Sequence, residues 1–514
     1  MYITIQQIVF YATSFIYYVL LVRVLNLSQV GEVSLLAAAS SIFTTLTQLA
    51  LPIAATRFIS SHIGKNDPAS AGGVAAASLR LLLATAGPGV VIAILASPWI
   101  GGTVFKTAES NTLLVVTFAA SFLLDFTTLY GALFLGLGLY AEIVYQNVLF
   151  FPLSRGLGLA LAYNGLGPLG IPLGWAIGAL ATLLLSVFLW KGRLTHFRSY
   201  PARPLLVFGF PLFASALVTL LQSWGDIALL QGILGQLGNT GAYYIVVSGV
   251  GFLSILWAPV AGALYPALSS SYANEGPASV SARLAVAARL VNLTVLPTGV
   301  ALAAIAPTAL EAFFGAPLGN QAVPFAILAT TLIFTAQSLL LITTLQSVSR
   351  TAHILGINLA ATIIDLAAVG FGASVLGTTA GAIGRALLAI ATLLLAWFSL
   401  RRVLHVPVAQ GLSKALALTL LSAFPLVILD TILTLNFHLV PLLRLPLLFG
   451  VFVACFLATS RGLDVFSEDD FELLENALPR FLRSHLKLLR RLLVRTNTRT
   501  SRDLGHTSQQ ERTS

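Results

Sequence analysis

Ala181-Thr182-Leu183-Leu184-Leu185 and Ala391-Thr392-Leu393-Leu394-Leu395 spell the same run at an offset of 210 residues. Working outward, Gly167, Gly174 and Ala176 precede the first copy as Gly377, Gly384 and Ala386 precede the second. Far toward the N-terminus, Leu27 and Gly31 recur as Leu237 and Gly241, and Ser60-Ser61 as Ser270-Ser271. A single slip interrupts the register, where Pro68-Ala69-Ser70 and Arg80 match Pro277-Ala278-Ser279 and Arg289. Apolar sequences match one another by chance, so the weight lies on the constancy of the offset. Two homologous apolar halves point to a membrane transporter.

Composition agrees. Of 514 residues, 57% are hydrophobic and 9% charged, and the mean hydropathy is +0.92. That lies outside the range of soluble domains and implies a polytopic membrane protein. The lone Cys455 sits in an apolar run, which excludes a disulfide framework and a thiolate metal site. No basic region precedes the first apolar stretch, and Ile3 to Val22 is long enough to remain as a span, so no cleavable signal is expected.

At about 20 apolar residues per crossing, spans fall near 3–22, 32–59, 73–100, 111–137, 141–163 and 168–190 in the first half. The second half supplies 205–233, 242–267, 284–307, 321–346, 352–375 and 379–400, and two more follow at 412–434 and 439–459. The expectation is an all-α polytopic fold of about 14 transmembrane helices, two six-helix repeats plus two C-terminal helices. An even number per half makes the repeats parallel, related by an axis along the membrane normal. The expected units are 1–204, 205–404, 405–460 and a tail at 461–514. Even-numbered loops and their borders carry Arg57, Lys65, Arg80, Lys191, Arg193, Arg198, Arg203, Arg283, Arg289, Arg350, Arg401, Arg402 and Lys414, and odd-numbered ones little beyond Arg23, Lys106 and Arg444. Positive residues in short loops stay cytoplasmic, so both termini are expected there, in a multi-pass protein of the cell membrane. In the tail, Ser467 with Glu468, Asp469 and Asp470 reads as a helix start. The stretch 479–495 then reads as a basic amphipathic helix, lying on the anionic leaflet or solvated.

At the end of the first span, Val22-Arg23-Val24-Leu25 leads to Gly31 and a long apolar run closing on Arg57-Phe58-Ile59-Ser60. With Ser223-Trp224-Gly225-Asp226 before Gly241, Leu264-Tyr265-Pro266-Ala267-Leu268-Ser269, and Leu345-Gln346 before Ser349-Arg350, this resembles the polysaccharide transporter family. These are the oligosaccharide flippases of the superfamily that also holds multidrug and toxin extruders. The resemblance covers roughly residues 1–475. It implies twelve core helices in two bundles around a central cavity, two extra helices, and alternating access. The implied cargo is a polyprenyl (pyro)phosphate-linked oligosaccharide, with membrane lipids and a coupling proton or sodium ion as the other partners.

Charged side chains at helix centres cost at least about 2.5–3.5 kcal/mol to insert, so each needs a reason. Arg155 and Asp365 lie 210 residues apart, at equivalent positions of opposite sign. Either Arg155 holds a phosphate with its fork of donors while Asp365 couples a proton or competes for the arginine, or both are packing charges neutralised by neighbouring helices. Arg57 and Arg80 fall at the expected cytoplasmic mouth, where a headgroup would enter and where ordinary positive-inside residues also collect. Asp125 is mid-helix with no evident partner, a proton or cation site or a neutral packed acid. Asp226, toward the outer end of its helix, is an outer gate or an interfacial carboxylate. Arg385, near the outer face, guides release or snorkels. Pro88, Pro152, Pro211, Pro259, Pro266 and Pro297 fall within spans as expected kinks.

There is no GxxxxGK[ST] loop, HExxH or GxSxG, and His62, His196, His353, His405, His438, His485 and His506 are scattered. No catalysis, metal, cofactor or nucleic-acid partner is therefore expected. Asn26-Leu27-Ser28 is an acceptor-like sequon close to the membrane. The competing readings are a cation-coupled drug or metabolite antiporter of the same superfamily, and a membrane glycan polymerase or ligase. The latter needs large outer loops that the sequence does not contain.

Overall fold

The computed structural model describes residues 2–105, 110–194, 198–348, 350–437 and 439–466, together with Phe471 and Arg490. The first half holds α1 (Tyr2–Val24), α2 (Leu27–Gln48), α3 (Leu51–Gly64), α4 (Pro68–Ile100), α5 (Ser110–Gly136), α6 (Tyr140–Leu161) and α7 (Gly170–Trp190). The second holds α8 (Ala202–Leu234), α9 (Leu237–Gly251), α10 (Ala258–Asn274), α11 (Pro277–Ala304), α12 (Ala306–Phe314), α13 (Ala322–Ser347), α14 (Thr351–Leu376) and α15 (Thr378–Leu400). Two further helices follow, α16 (Leu412–Leu435) and α17 (Pro441–Gly462). Among the described residues there is no strand. In lipid, a backbone without water must satisfy itself inside each segment, which is why nearly every apolar run is helical.

Among the described residues, twelve stretches are long and apolar enough to cross a membrane. The expected fourteen differ from this count at two places. Tyr140–Trp190 forms one stretch of 51 residues in which α6 and α7 are joined by a turn, and the first helix adds only a shorter apolar piece, Val9–Val24.

The repeat is visible in backbone and packing. Gly167 (φ 53°, ψ −137°) and Gly377 (φ 59°, ψ −134°) adopt the same left-handed conformation just ahead of α7 and α15, which a side chain would oppose. α6 packs along α7 as α14 does along α15, α5 on α7 as α13 on α15, and α1 on α6 as α8 on α14. The halves meet through α2 and α9. There, a Cβ on Gly31 would stand 2.0 Å from the Leu237 carbonyl oxygen, and one on Gly241 would stand 2.1 Å from that of Leu27. Gly31 and Gly241, which mark the repeat in the sequence, therefore meet across the halves, as a two-fold axis between them requires.

Local chemistry sets the helix ends. Asn26 and Gln29 form a reciprocal capping box, with the Asn26 side chain accepting from the Gln29 N–H at 3.0 Å and that of Gln29 accepting from the Asn26 N–H at 3.1 Å. The Asn26 of the sequon is thus occupied as a helix cap. Asp67 caps α4 by accepting from the Ser70 N–H at 3.0 Å, with Pro68 at the first turn.

The spans expected at 32–59 and 242–267 are each broken. α2 and α3 are separated by Leu49 (φ 47°) and Ala50 (φ 57°), and α9 and α10 by a 3-10 segment, Phe252–Leu256. Neither break contains a proline. Pro88, Pro152, Pro211, Pro266 and Pro297 lie inside helices that continue through them, and Pro259 opens α10 within its first turn. Of the expected proline kinks, only Pro259 adjoins a break, and the helices run on through the other five. The short helix α12 has no counterpart in the expected spans; it packs against α17 and α1. Lys106, His196, Ser349, His438, the acidic run 467–470 and, apart from Arg490, the amphipathic stretch 479–495 lie outside the described residues. Val465, Phe466 and Phe471 are buried with Leu404, Val406 and Leu418.

Candidate functional site

Arg155 projects from α6 toward α1. Its Nη1 donates to the Thr13 hydroxyl at 2.6 Å and to the Phe10 carbonyl at 3.2 Å. Its guanidinium carbon lies 5.0 Å from the ring centre of Phe151, 5.2 Å from that of Phe10 and 5.9 Å from that of Tyr17. Aromatic faces attract a cation without neutralising it. None of the ion pairs found among the described residues includes Arg155. Its charge faces a cavity of about 290 Å³ lined by Phe10, Tyr11, Ser14, Tyr18, Ser248 and Ser254, among others. The Ser254 hydroxyl donates to Tyr11 at 3.1 Å, which ties the α9–α10 break to α1.

Two further cavities adjoin this one. Gly251 and Ser254 are shared with a cavity of about 450 Å³ in the second half, whose largely apolar wall includes the polar side chains of Gln222, Thr331, Asn358, Thr392 and Arg385. Phe15, Gly249, Phe252 and Phe314 are shared with an apolar cavity of about 690 Å³. That cavity runs between the α9–α10 break, α11 and α12 on one side and Leu426 of α16 with Leu442, Leu445 and Phe449 of α17 on the other. A charged polar pocket and an apolar groove thus share a wall.

Arg385 corrects the expectation of a snorkelling outer residue. It reaches inward to Asp226, with Nε donating to Oδ2 at 2.5 Å and Nη2 to Oδ1 at 3.0 Å, while Nη2 also donates to the Ser223 carbonyl at 3.0 Å. Asp226 is fully buried and also accepts from the Tyr243 hydroxyl at 2.6 Å and from the Ile227 N–H at 2.9 Å. It is a core acceptor of the second half, not an interfacial carboxylate. Such a two-pronged pair spends the arginine's charge locally, although 23% of its side chain remains exposed, enough to line the second-half cavity.

Asp365 joins this same cluster. It is fully buried, both oxygens lack a hydrogen-bond partner among the described residues, and Gly384 is bare of a Cβ that would fall 2.4 Å from Oδ1. The arginine beside it is Arg385 in its own half. Competition with Arg155 across the molecule is not what this cluster presents, because the symmetry that makes 155 and 365 equivalent gives each a different neighbour.

Asp125, expected to lack a partner, has two. Fully buried on α5, it accepts from the Thr47 hydroxyl at 2.6 Å and from the Gln48 amide at 2.9 Å, both at the end of α2. Arg57 is exposed on α3 and stacks 4.2 Å from the ring centre of Phe208 on α8. Arg80 is exposed on α4. Neither lines any of the three cavities.

Asp430 is a further carboxylate inside an apolar run, the same signal that singles out Asp125. It accepts from the Thr308 hydroxyl at 2.9 and 3.0 Å and lies 3.7 Å from Arg444, which also donates to Thr434. This pair fastens α16 and α17 to α12. The tyrosines around Arg155 and Asp226 left no signal, because an aromatic in an apolar run is the commonest residue of a core.

The family model described as "Polysaccharide biosynthesis protein" matches residues 1–272, which bears out the resemblance drawn from the sequence. No curated protein sequence matches significantly. The fold is similar to that of the lipid II flippase MurJ in an inward closed conformation, with a TM-score of 0.68 at 13% identity, covering 89% of this chain and 97% of that one. It is also similar to an inward-facing multidrug resistance transporter of the MATE family of the MOP superfamily, with a TM-score of 0.65 at 16% identity over 76% and 94% of the two chains. A MOP superfamily transporter from Pyrococcus furiosus gives 0.52 at 16% identity, again over 76% and 94%. These likenesses establish the all-helical fold of that superfamily.

Proposed function

Since the chain belongs to the polysaccharide biosynthesis protein family, we propose that it is a flippase moving a polyprenyl (pyro)phosphate-linked oligosaccharide across the cell membrane by alternating access. The observation that carries this reading is the pairing of cavities. Arg155 offers a guanidinium fork, without an ion-pair partner among the described residues, in a polar pocket. The apolar groove beyond Phe15 and Phe252 accepts a long hydrocarbon. An amphiphile with an anionic head and an apolar tail satisfies both, and a cationic drug would be repelled by the same arginine.

In this mechanism the phosphate displaces Thr13 and the Phe10 carbonyl from Arg155 while the sugars occupy the cavity leading to Gln222 and Asn358. The tail stays in the groove against α16 and α17 or in surrounding lipid. Arg385, already held by Asp226, shapes the far wall, and Asp365 stands ready as its second acceptor when the halves rearrange. The glycan enters from the side of the positive loops, with both termini cytoplasmic. The halves turn about the α2–α9 contact.

The test is flipping of a fluorescent polyprenyl-phosphate-linked sugar in proteoliposomes. Arg155→Ala is expected to lower the rate at least about tenfold, the value of one charge-assisted contact, and Arg155→Lys to restore part of it. Flipping unchanged by Arg155→Ala would refute the phosphate role, and export of a cationic drug that survives Arg155→Glu would favour the antiporter.

A further inference from the structure

The break between α2 and α3 is built from two consecutive residues in the left-handed region, Leu49 (φ 47°, ψ 34°) and Ala50 (φ 57°, ψ 19°). Neither is glycine, so the conformation must be imposed by its surroundings. The two residues before it supply the restraint. Thr47 and Gln48 both donate to Asp125, and the Thr47 carbonyl, left without a helical partner by the break, accepts from the Thr85 hydroxyl of α4 at 2.6 Å.

The same geometry accepts Asp125 in either protonation state. When the carboxyl is charged, the Thr47 hydroxyl donates to Oδ2 at 2.6 Å. When it is neutral, its own proton points at Thr47 Oγ1, whose hydrogen turns to the Phe43 carbonyl at 2.8 Å. Gln48 keeps donating to Oδ1 in both. No polar atom is orphaned by the exchange, so a proton binds or leaves with every partner kept, and what changes is the strength of the two bonds. One turn away along α5, Ser121 pairs with Ser40 of α2 at 2.7 Å, adding hydroxyls beside the acid.

Charged and titratable residues on the helices around Asp125 are Glu32 on α2, Arg57 and His62 on α3, Arg80 on α4, and Tyr140, Glu142, Tyr145 and Arg155 on α6, both of these tyrosines exposed. α7 brings none, and Tyr130 is a titratable neighbour on α5 itself. Arg57 stacks on Phe208, Arg80 is exposed, His62 faces Asp67, Glu142 pairs with Arg193 and Arg155 is held by Thr13. Glu32 stands fifteen residues before Thr47 on the same helix, about 22 Å at 1.5 Å per residue.

We propose that Asp125 is a proton-binding site whose loading releases the α2–α3 joint. The coupling role rests on the flippase reading; the joint does not. Loss of the negative charge weakens the charge-assisted bonds from Thr47 and Gln48 that hold the left-handed pair in place. α2 carries Gly31 at its other end, so freedom at the joint is transmitted to the contact between the halves.

The experiment uses the whole protein in nanodiscs and follows amide exchange of residues 47–56 against pH, corrected for intrinsic exchange. The native chain is expected to exchange faster on acidification with a single midpoint. Asp125→Asn is expected to stay at the fast, acid-like rate at every pH, and Thr47→Val to shift the midpoint. A flat native profile, an Asp125→Asn profile that still titrates, or an unmoved Thr47→Val midpoint would overturn the proposal. In proteoliposomes, a gradient of one pH unit should bias the leaflet ratio of the sugar-lipid by up to about tenfold for one coupled proton, and Asp125→Asn should abolish the bias. A sodium gradient that replaces the proton gradient would overturn the proton assignment. Absence of flipping together with an intact exchange profile would reject the flippase reading and leave the joint switch standing.

Discussion

Adding a single methyl group at Gly31 should open the molecule. A Cβ there would lie 2.0 Å from the Leu237 carbonyl oxygen and 2.8 Å from its carbon, both backbone atoms that cannot swing away. Restoring ordinary carbon–oxygen contact needs α2 and α9 to separate by about 1.2 Å, or the closed arrangement to carry an overpacking cost of about 1–3 kcal/mol. At 1.4 kcal/mol per decade, that shifts the balance away from the closed contact by about 5- to 150-fold. Gly241→Ala should act alike, since its Cβ would meet the Leu27 oxygen at 2.1 Å and the Gly31 nitrogen at 2.6 Å. One separation relieves both clashes, so the double variant should shift the balance by less than the product of the two singles. With Cys455 replaced, a lone cysteine at Ser34, buried one turn beyond Gly31, reports opening through its rate of labelling by a membrane-impermeant maleimide. Gly87→Ala, whose Cβ has nothing within 4 Å, is the control. Labelling rates within twofold of the parent in both Gly31→Ala and Gly241→Ala, with folding intact, would refute the view that this glycine contact holds the two halves together.

Asp226→Asn or Arg385→Met should each lower thermal stability in detergent by about 3–5 kcal/mol, the usual cost of halving a buried pair, whereas the double variant should recover most of it. Thr308→Val should weaken the hold of α12 on α16 and α17 by about 1–3 kcal/mol, because Asp430 loses its donor, and hydrogen exchange should rise in α17 ahead of the remaining helices. Ser70, through its side chain and its amide, holds the Asp67 carboxyl below the usual carboxylate range. A depressed folded value means that the cap stabilises α4 fully above the ordinary range and is lost as pH falls through the lowered one. Asp67→Ala should therefore be less stable than the parent at neutral pH and converge with it in acid, and equal separation at both pH values would contradict the assignment.

The repeat, the helical class and the family were legible because they depend on features that persist along the chain. Hydropathy over a span reports a crossing, and Gly31, Gly167 and their counterparts mark close contacts or turns that admit no side chain. That Arg155, Asp226, Asp365, Arg385 and Asp125 each need an explanation was legible for the same reason, since a charge inside an apolar run is costly wherever it points. Their partners were not. Arg385 and Asp226 stand 159 residues apart, and Asp125 and Thr47 stand 78 apart. Which faces meet is set by the rotation of each helix about its axis, which a pattern apolar on every side leaves undetermined.

What the sequence by itself determined is the architecture, two parallel apolar halves with a charged minority inside them, because solvation by lipid acts on each segment separately. Only the tertiary structure decided that Arg385 is consumed by Asp226 while Arg155, beside an apolar groove, has no ion-pair partner among the described residues. It also put the break of the second span at Leu49-Ala50 rather than at a proline. The physical reason is that electrostatic compensation and backbone strain are properties of neighbours in space, and those neighbours exist only once the helices have packed.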